Sequence, residues 1–332
     1  MSLGKSKKKS LRYYYGIPHA HTDFSTGRGT PLEAYEYGKN NGLNFLALTD
    51  HNSYLNNETS INNNHVSKWI AMNYARDKFS KKSASLIPLV GFETRTALYG
   101  DFNIINCDTF FTGTVRNLNA LALWMINNPD SFITINHPHK NVLSLTYNEL
   151  INKLITSIEV GNGSFPHKYS RYEKYYYSLL DKGWKLGAIN GQDNHRINFG
   201  DSDNLTVVLA TELSSEKIID AFRKRRTFST ESRNLKMYFT INNILMGDIL
   251  KIDKKKLKFM IYAEDPKNKI KQIEIITNKG VLVKKIDNIN LNSIKYLYEH
   301  EKEEGENWYI IKIHQEGNRI AISSPIFLDY KL

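Results

Sequence analysis

The chain has 332 residues, 41% of them hydrophobic, and carries 45 Lys and Arg against 34 Asp and Glu, a formal net charge of +11. That length exceeds the usual size of one domain, so a large domain with a smaller companion is expected. No run approaches the roughly 18 to 20 apolar residues of a membrane-spanning helix, and the single cysteine, Cys107, excludes an internal disulfide framework.

Both signs of charge are scattered over the whole length, with dense basic runs only at 5–9, 223–226 and 254–256. A solvated surface is therefore the preferred reading over a nucleic-acid interface. No charged-then-apolar leader precedes the first motif. The compartment stays open: cytoplasmic, or secreted if a leader once stood before Met1-Ser2-Leu3-Gly4.

Taken in chain order, short apolar runs from Tyr13 to about Thr230 alternate with helical segments, which predicts an α/β unit of parallel strands joined by helices. Thr30-Pro31-Leu32-Glu33 reads as a capping box with proline in the first turn, and Gly42 stops that helix before a strand over 43–48. Further strands are expected over 86–90, 102–106, 132–136, 157–160, 185–190 and 205–210, with helices over 117–127, 168–182 and 215–223. The segment 52–82 is long for a β/α connection and contains a helix-like stretch, so it is read as a lid. Beyond Arg233 the texture changes to strand-like runs over 257–263, 272–277, 281–286, 308–313 and 320–324, with Asn278-Lys279-Gly280 as a hairpin turn. A small antiparallel β-sandwich is the economical reading, which divides the chain into 12–232 and 233–332.

The chemistry sits in the first of these units. His19-x-His21 follows the first strand, and residues two apart in extended chain point to one side, so the pair can face one cation. His51 ends the second strand, Glu93 the third, His137 follows 132–136, and Asp193 and His195 follow the strand ending at Asn190. In α/β sheets the strand C-termini form the active-site face. Five histidines and two carboxylates there exceed what one ion can use, which predicts a multinuclear metal centre with a bridging carboxylate. His65, His167, His300 and His314 lack this placement, and the tyrosines of 172–177 read as packing surface.

In their order along the chain, His19-Ala20-His21-Thr22, Leu48-Thr49-Asp50-His51-Asn52, Gly91-Phe92-Glu93, Asn136-His137-Pro138 and Asp193-x-His195 closely resemble the PHP (polymerase and histidinol phosphatase) family of metal-dependent phosphoesterases over about residues 12–230. The resemblance implies a distorted seven-stranded β/α (TIM-like) barrel with two or three divalent ions, Zn, Mn or Fe. His19, His21, Glu93 and Asp193 would hold one ion, Glu93 would bridge to a second near His137 and Asp101, and His51 and His195 would hold a third. The tail, ending in Ala321-Ile322-Ser323-Ser324-Pro325-Ile326, is similar to that of a bacterial branch that includes carbaryl hydrolase-like proteins.

Two positions depart from the family pattern. Where relatives have Ser-Asp-Gly this chain has Ser25-Thr26-Gly27, which removes a carboxylate from the third site. Asp101 stands where relatives often have histidine, and its oxygen favours Mn or Fe over Zn. Around the ligands, Arg28, Arg95, Lys140 and Arg196 are candidate phosphate partners, His139 is a candidate proton donor to a leaving group, and Asp50 is expected to orient a metal-bound imidazole. The leading expectation is hydrolysis of a small-molecule phosphoester by a metal-activated hydroxide. A carbamate or amide hydrolase with the same metals is one alternative, and a non-catalytic module binding a glycan or protein is another.

Overall fold

The computed structural model describes residues 10–252 and 255–330, which leaves the whole amino-terminal basic run 5–9 and Lys254 outside the described residues. Strand β1 (Arg12–Ile17) leads through the capped helix α1 (Pro31–Asn40) to β2 (Phe45–Leu48), which lies parallel to it. The expected capping box is formed, with the Thr30 and Glu33 side chains each accepting from the other residue's backbone amide. The long segment before the third main-sheet strand holds a hairpin, β3 (Glu58–Ile61) and β4 (Asn64–Ser67), and a helix, α2 (Lys68–Ser80). Asn62 and Asn63 make that hairpin's turn with positive φ of 50° and 67°, the left-handed geometry that asparagine tolerates.

The next connection differs from expectation. Strands β5 (Ile87–Thr96) and β6 (Gly100–Ile105) are antiparallel, as are β6 and β7 (Phe132–Ile135), although parallel strands were expected throughout. Only three residues separate β5 from β6, too few for a crossover. After α3 (Leu118–Met125) and α4 (Glu149–Leu154) the parallel pattern resumes, with β8 (Ile155–Asn162) beside β7 and β10 (Gly187–Gly191) beside β8. Between them the expected helix over 168–182 starts late: Ser170–Arg171 forms β9 against β8, and α5 covers Glu173–Asp181. Then β11 (Leu205–Ala210), α6 (Ser215–Arg223) and β12 (Thr227–Thr230) follow, with β11 antiparallel to both β1 and β12. The fold is thus mixed α/β around a large, partly parallel sheet.

Beyond residue 233 the described residues form strands joined by loops and two short 3-10 turns: β13 (Lys236–Ile241), β14 (Ile244–Leu245), β15 (Ile249–Ile252), β16 (Lys256–Glu264), β17 (Ile270–Thr277), β18 (Val281–Ile286), β19 (Ser293–Glu301), β20 (Trp308–Gln315), β21 (Ile320–Ser323) and β22 (Ile326–Tyr330). Strand β21 pairs with β12, so the main sheet runs on unbroken from the first region into the tail as β12-β21-β20-β17-β18. A separate sheet, β14-β13-β16-β19, packs on it. Alternation along β16 buries Leu257, Phe259, Ile261 and Ala263, and the Phe259 ring meets Tyr309 edge-on at 5.1 Å. Val207, Leu209 and Phe228 of the first region share this apolar cluster. The tyrosine run packs as expected: Tyr176 is buried and Tyr177 stacks on Trp308. Among the described residues no helix is long and apolar enough to cross a membrane.

Candidate metal centre

Backbone pairing continues past the ends of the strands and clamps the ligand-bearing segments together. Thr49 N donates to Ala20 O (2.8 Å), His21 N to Asn194 O (2.9 Å), Asp193 N to His19 O (3.0 Å), and His51 bridges to Glu93. The His19-Ala20-His21 strip is therefore held between the loops that carry His51 and Asp193. His137 and Asp193 adopt positive φ of 24° and 50°, strained for non-glycine residues by about 1 to 3 kcal/mol each. Both belong to the cluster.

The side chains of His19, His21, Glu93 and Asp193 meet at one point. The two Nε2 atoms are 3.2 Å apart, Asp193 Oδ1 lies 3.4 Å from His19 Nε2 and 3.2 Å from His21 Nε2, and the Glu93 oxygens lie 3.4 Å from each. Donors sharing a cation at about 2.0 to 2.3 Å stand about 3.0 to 3.5 Å apart, so the spacing fits a divalent ion. The same Glu93 oxygen that faces His19 also faces outward: His137 Nε2 is 3.2 Å from Oε1, and Glu93, Asp101 and His137 form a second potential ligand group. His51 Nδ1 is 3.0 Å from Glu93 Oε2, and His21, His51 and His195 form a third. Glu93 thus faces four imidazoles, while Asn136 Nδ2 donates 2.8 Å to its Oε1.

Electrostatics describe the same demand for positive charge. Burial opposes protonation of His21, yet hydrogen bonds to Asp193 and Glu93 raise it to about 9. His137 is likewise raised to about 9 against its burial, through Glu93 and Glu159. Burial would raise Glu93, but His19, His137 and His21 hold it well below the usual carboxylate range, and His19 and His21 do the same for Asp193. Asp101 is raised by burial and by the Glu93 charge.

The remaining expected residues fall in different places. Asp50 does not bond an imidazole. It accepts from Thr22 N (2.8 Å), Thr22 Oγ1 (2.7 Å) and Ser25 Oγ, and Ser25 Oγ lies 3.4 Å from His21 Nδ1, so Asp50 reaches His21 only through the loop. His139 is exposed, its Nδ1 accepts from Asn141 N at 3.3 Å, and its ring covers Gly100 next to Asp101. Arg28, Lys140 and Arg196 are exposed. Arg95 lies 3.8 Å from Asp101, and the two line a cavity of about 350 Å³ with His51, Glu93 and Thr114. Asn52 shapes that cavity by donating to Phe111 O (2.7 Å) and Gly113 O (2.8 Å). His167, given no role from sequence, sits edge-on to His195 with ring centroids 6.1 Å apart. Glu159 was missed. It is fully buried in β8 and its Oε1 is 2.8 Å from His19 Nδ1. Its only sequence signal is a carboxylate inside an apolar strand.

No family model matches this chain, and no curated protein does. Among solved structures the chain is similar to a two-domain protein from Bacteroides vulgatus ATCC 8482 containing a predicted PHP-like metal-dependent phosphoesterase, with 16% identity, a TM-score of 0.53 and 94% of each chain covered. Two others overlap 54% of this chain: a candidate metal-dependent phosphoesterase from Bifidobacterium adolescentis ATCC 15703 (14% identity, 87% of that chain, TM-score 0.36) and an amidohydrolase from Chromobacterium violaceum with bound sulfate and no metal (13% identity, 86% of that chain, TM-score 0.33). The first of these likenesses shows a shared fold over most of both chains.

Proposed function

We propose that this protein is a metal-dependent phosphoesterase of small molecules, with two or three divalent ions drawn from Zn, Mn and Fe. One observation carries the reading: two buried imidazole Nε2 atoms lie 3.2 Å apart with carboxylate oxygens of Glu93 and Asp193 closing around them. His19 Nδ1 bonds Glu159, so in the neutral ring Nε2 carries the lone pair, and a cation would satisfy it together with His21 and the two carboxylates. His19, His21, Glu93 and Asp193 would hold the first ion, Glu93, Asp101 and His137 the second, and His51 and His195 the third. When bound, such ions supply Lewis acidity and hydroxide at neutral pH.

The chain's own groups do the rest. Arg95, at the mouth of the cavity beside His51 and Glu93, offers a fork of donors to phosphate oxygens. His139, over Gly100, is the candidate donor of a proton to the leaving oxygen, and Asp50 keeps the loop against His21 in place through Ser25. Arg28 remains a candidate phosphate partner from the exposed loop after His21.

The two regions 12–232 and 233–332 read best as a distorted β/α barrel and a β-sandwich. Side-chain bonds that join β10 to β11 and β12, and the face-to-face packing of the tail's two sheets, support this. Assays of the Mn- and Zn-loaded protein against aryl phosphomonoesters, phosphodiesters, carbamates and amides test the function. Metal-dependent phosphoester turnover that a chelator abolishes is expected. Faster carbamate or amide cleavage would move the protein to the alternative reaction, and no turnover in any class would leave only a binding role.

A further inference from the structure

We propose that Glu159 is a positioning residue that yokes His19 and His137, setting both in the one orientation in which the cluster binds metal. This rests on the metal-centre reading above. Glu159 lies in β8, fully buried, and uses both carboxylate oxygens as acceptors. Oε1 takes the hydrogen of His19 Nδ1 at 2.8 Å, and Oε2 takes the His137 backbone N–H at 2.6 Å and Asn162 Nδ2 at 2.8 Å.

Each bond fixes something different. The first selects the His19 tautomer whose Nε2 lone pair faces His21, Glu93 and Asp193 at 3.2 to 3.4 Å. The second holds the backbone of His137 at φ 24°, from which its Nε2 reaches Glu93 Oε1 at 3.2 Å. Only a group that accepts at both ends can do both. An amide has one accepting end and one donating end, so glutamine must either face its NH2 toward His19 and reverse that tautomer or face it toward two other N–H donors.

Gly191 gives an independent observation. A Cβ there would stand 1.9 Å from Glu159 Oε1 and 2.6 Å from its Cδ. Gly191 is not among the positive-φ glycines, so the backbone does not demand glycine at this position. The Glu159 carboxylate does.

The test uses the full chain, with zinc and cobalt(II) as probes. Glu159→Gln removes one acceptor, and Gly191→Ala pushes the carboxylate aside while leaving every proposed ligand in place. Both are expected to keep far-UV circular dichroism, to bind zinc about 10 to 100 times more weakly in chelator competition, and to change the visible spectrum of bound cobalt. Long-range proton–nitrogen NMR of the zinc-loaded unmodified protein should show His19 protonated at Nδ1. Zinc affinity within twofold of the unmodified protein in the folded variants overturns the proposal. So does a His19 protonated at Nε2 in the unmodified protein, a readout that stands whether or not the variants fold. An unmodified protein that binds no zinc or cobalt would instead remove the metal-centre reading itself.

Discussion

Ser324 Oγ accepts a 3.0 Å hydrogen bond from the amide of Ala188, which places a hydroxyl from the last stretch of the chain on the strand that leads into Asp193. Thr227 Oγ1 lies 3.0 Å from the same hydroxyl and donates to Ala188 O at 3.0 Å, while Thr206 Oγ1 accepts from Asn190 N and donates to Asn190 O. Strand β10 thus has hydroxyl partners where it lacks a neighbouring backbone on this side. A side chain at Gly187 would meet both Ser324 Oγ and Thr227 Oγ1 at 2.9 Å, so the seam leaves room for hydrogen alone.

Replacing Ser324 by alanine leaves the buried Ala188 amide without its partner, and an unmade buried bond costs about 1 to 3 kcal/mol. Urea unfolding of Ser324→Ala should show a loss of that size. A change below about 0.5 kcal/mol would mean the seam contributes nothing measurable.

A chain ended after residue 232 loses more than a neighbouring domain. Val207, Leu209 and Phe228 lie in the cluster that the tail covers, and β12 would lose its partner β21 and become an open edge. Aggregation of the shortened protein is expected in size-exclusion chromatography. A monodisperse, metal-binding product would show that the first region closes its own core.

The clustered histidines and Asp193 were legible because each follows an apolar run and strand ends converge; Glu93, expected at a strand end, instead lies inside β5, and Asp101 stands near the start of β6. Antiparallel β5–β6 was hidden because Ala97-Leu98-Tyr99 carries no Asn-Gly or Asp-Gly pair, and its one local turn signal is Gly100, at φ 97°. Continuity of the sheet through β21 and β12 joins residues some ninety positions apart, which no local pattern encodes. Glu159 was read only as part of a strand, since its partners, His19 and the His137 amide, come from two distant segments. His139 and Asp50 were singled out for nearness in sequence to neighbouring histidines, and their hydrogen bonds go to the Asn141 amide and to the loop of Thr22 and Ser25.

Glu93→Ala removes the one carboxylate that lies 3.0 to 3.4 Å from His19, His21, His51 and His137. Facing cations would lose the anion between them, so metal content and any hydrolysis should fall below detection while circular dichroism is retained. Activity near the unmodified level would remove Glu93 from its bridging role.

Proton and metal compete for the same cluster, which fixes the sign of its pH response. Without metal, His21 and His137, both raised to about 9, contribute stability that is full below about 6.5 and is lost as pH rises through 9. Glu93 and Asp193 are lowered, so their contribution is present above the ordinary carboxylate range and is lost in acid. The metal-free protein should therefore melt lower at pH 9.5 than at pH 6.5, and added zinc should reverse that order by binding more tightly as imidazoles lose protons. Identical pH profiles with and without zinc would contradict a shared site.

The third group is the weakest in charge. His21, His51 and His195 bring three imidazoles but no carboxylate of their own, because Glu93 and Asp193, 3.0 Å from His51 and 3.5 Å from His195, already face the first set. Thr26 is exposed on the loop that folds back over His21, where Gly27 N donates to Thr22 O and a Cβ at Gly27 would stand 2.4 Å from His21 O. A carboxylate on residue 26 is expected to add the missing negative charge. In a zinc or manganese titration of the unmodified protein, one ion should bind more weakly than the rest and leave first to chelator. Thr26→Asp should tighten that ion selectively, without changing the others. Three equally tight ions in the unmodified protein, or no change in Thr26→Asp, would show that ligand charge is not what limits the third site.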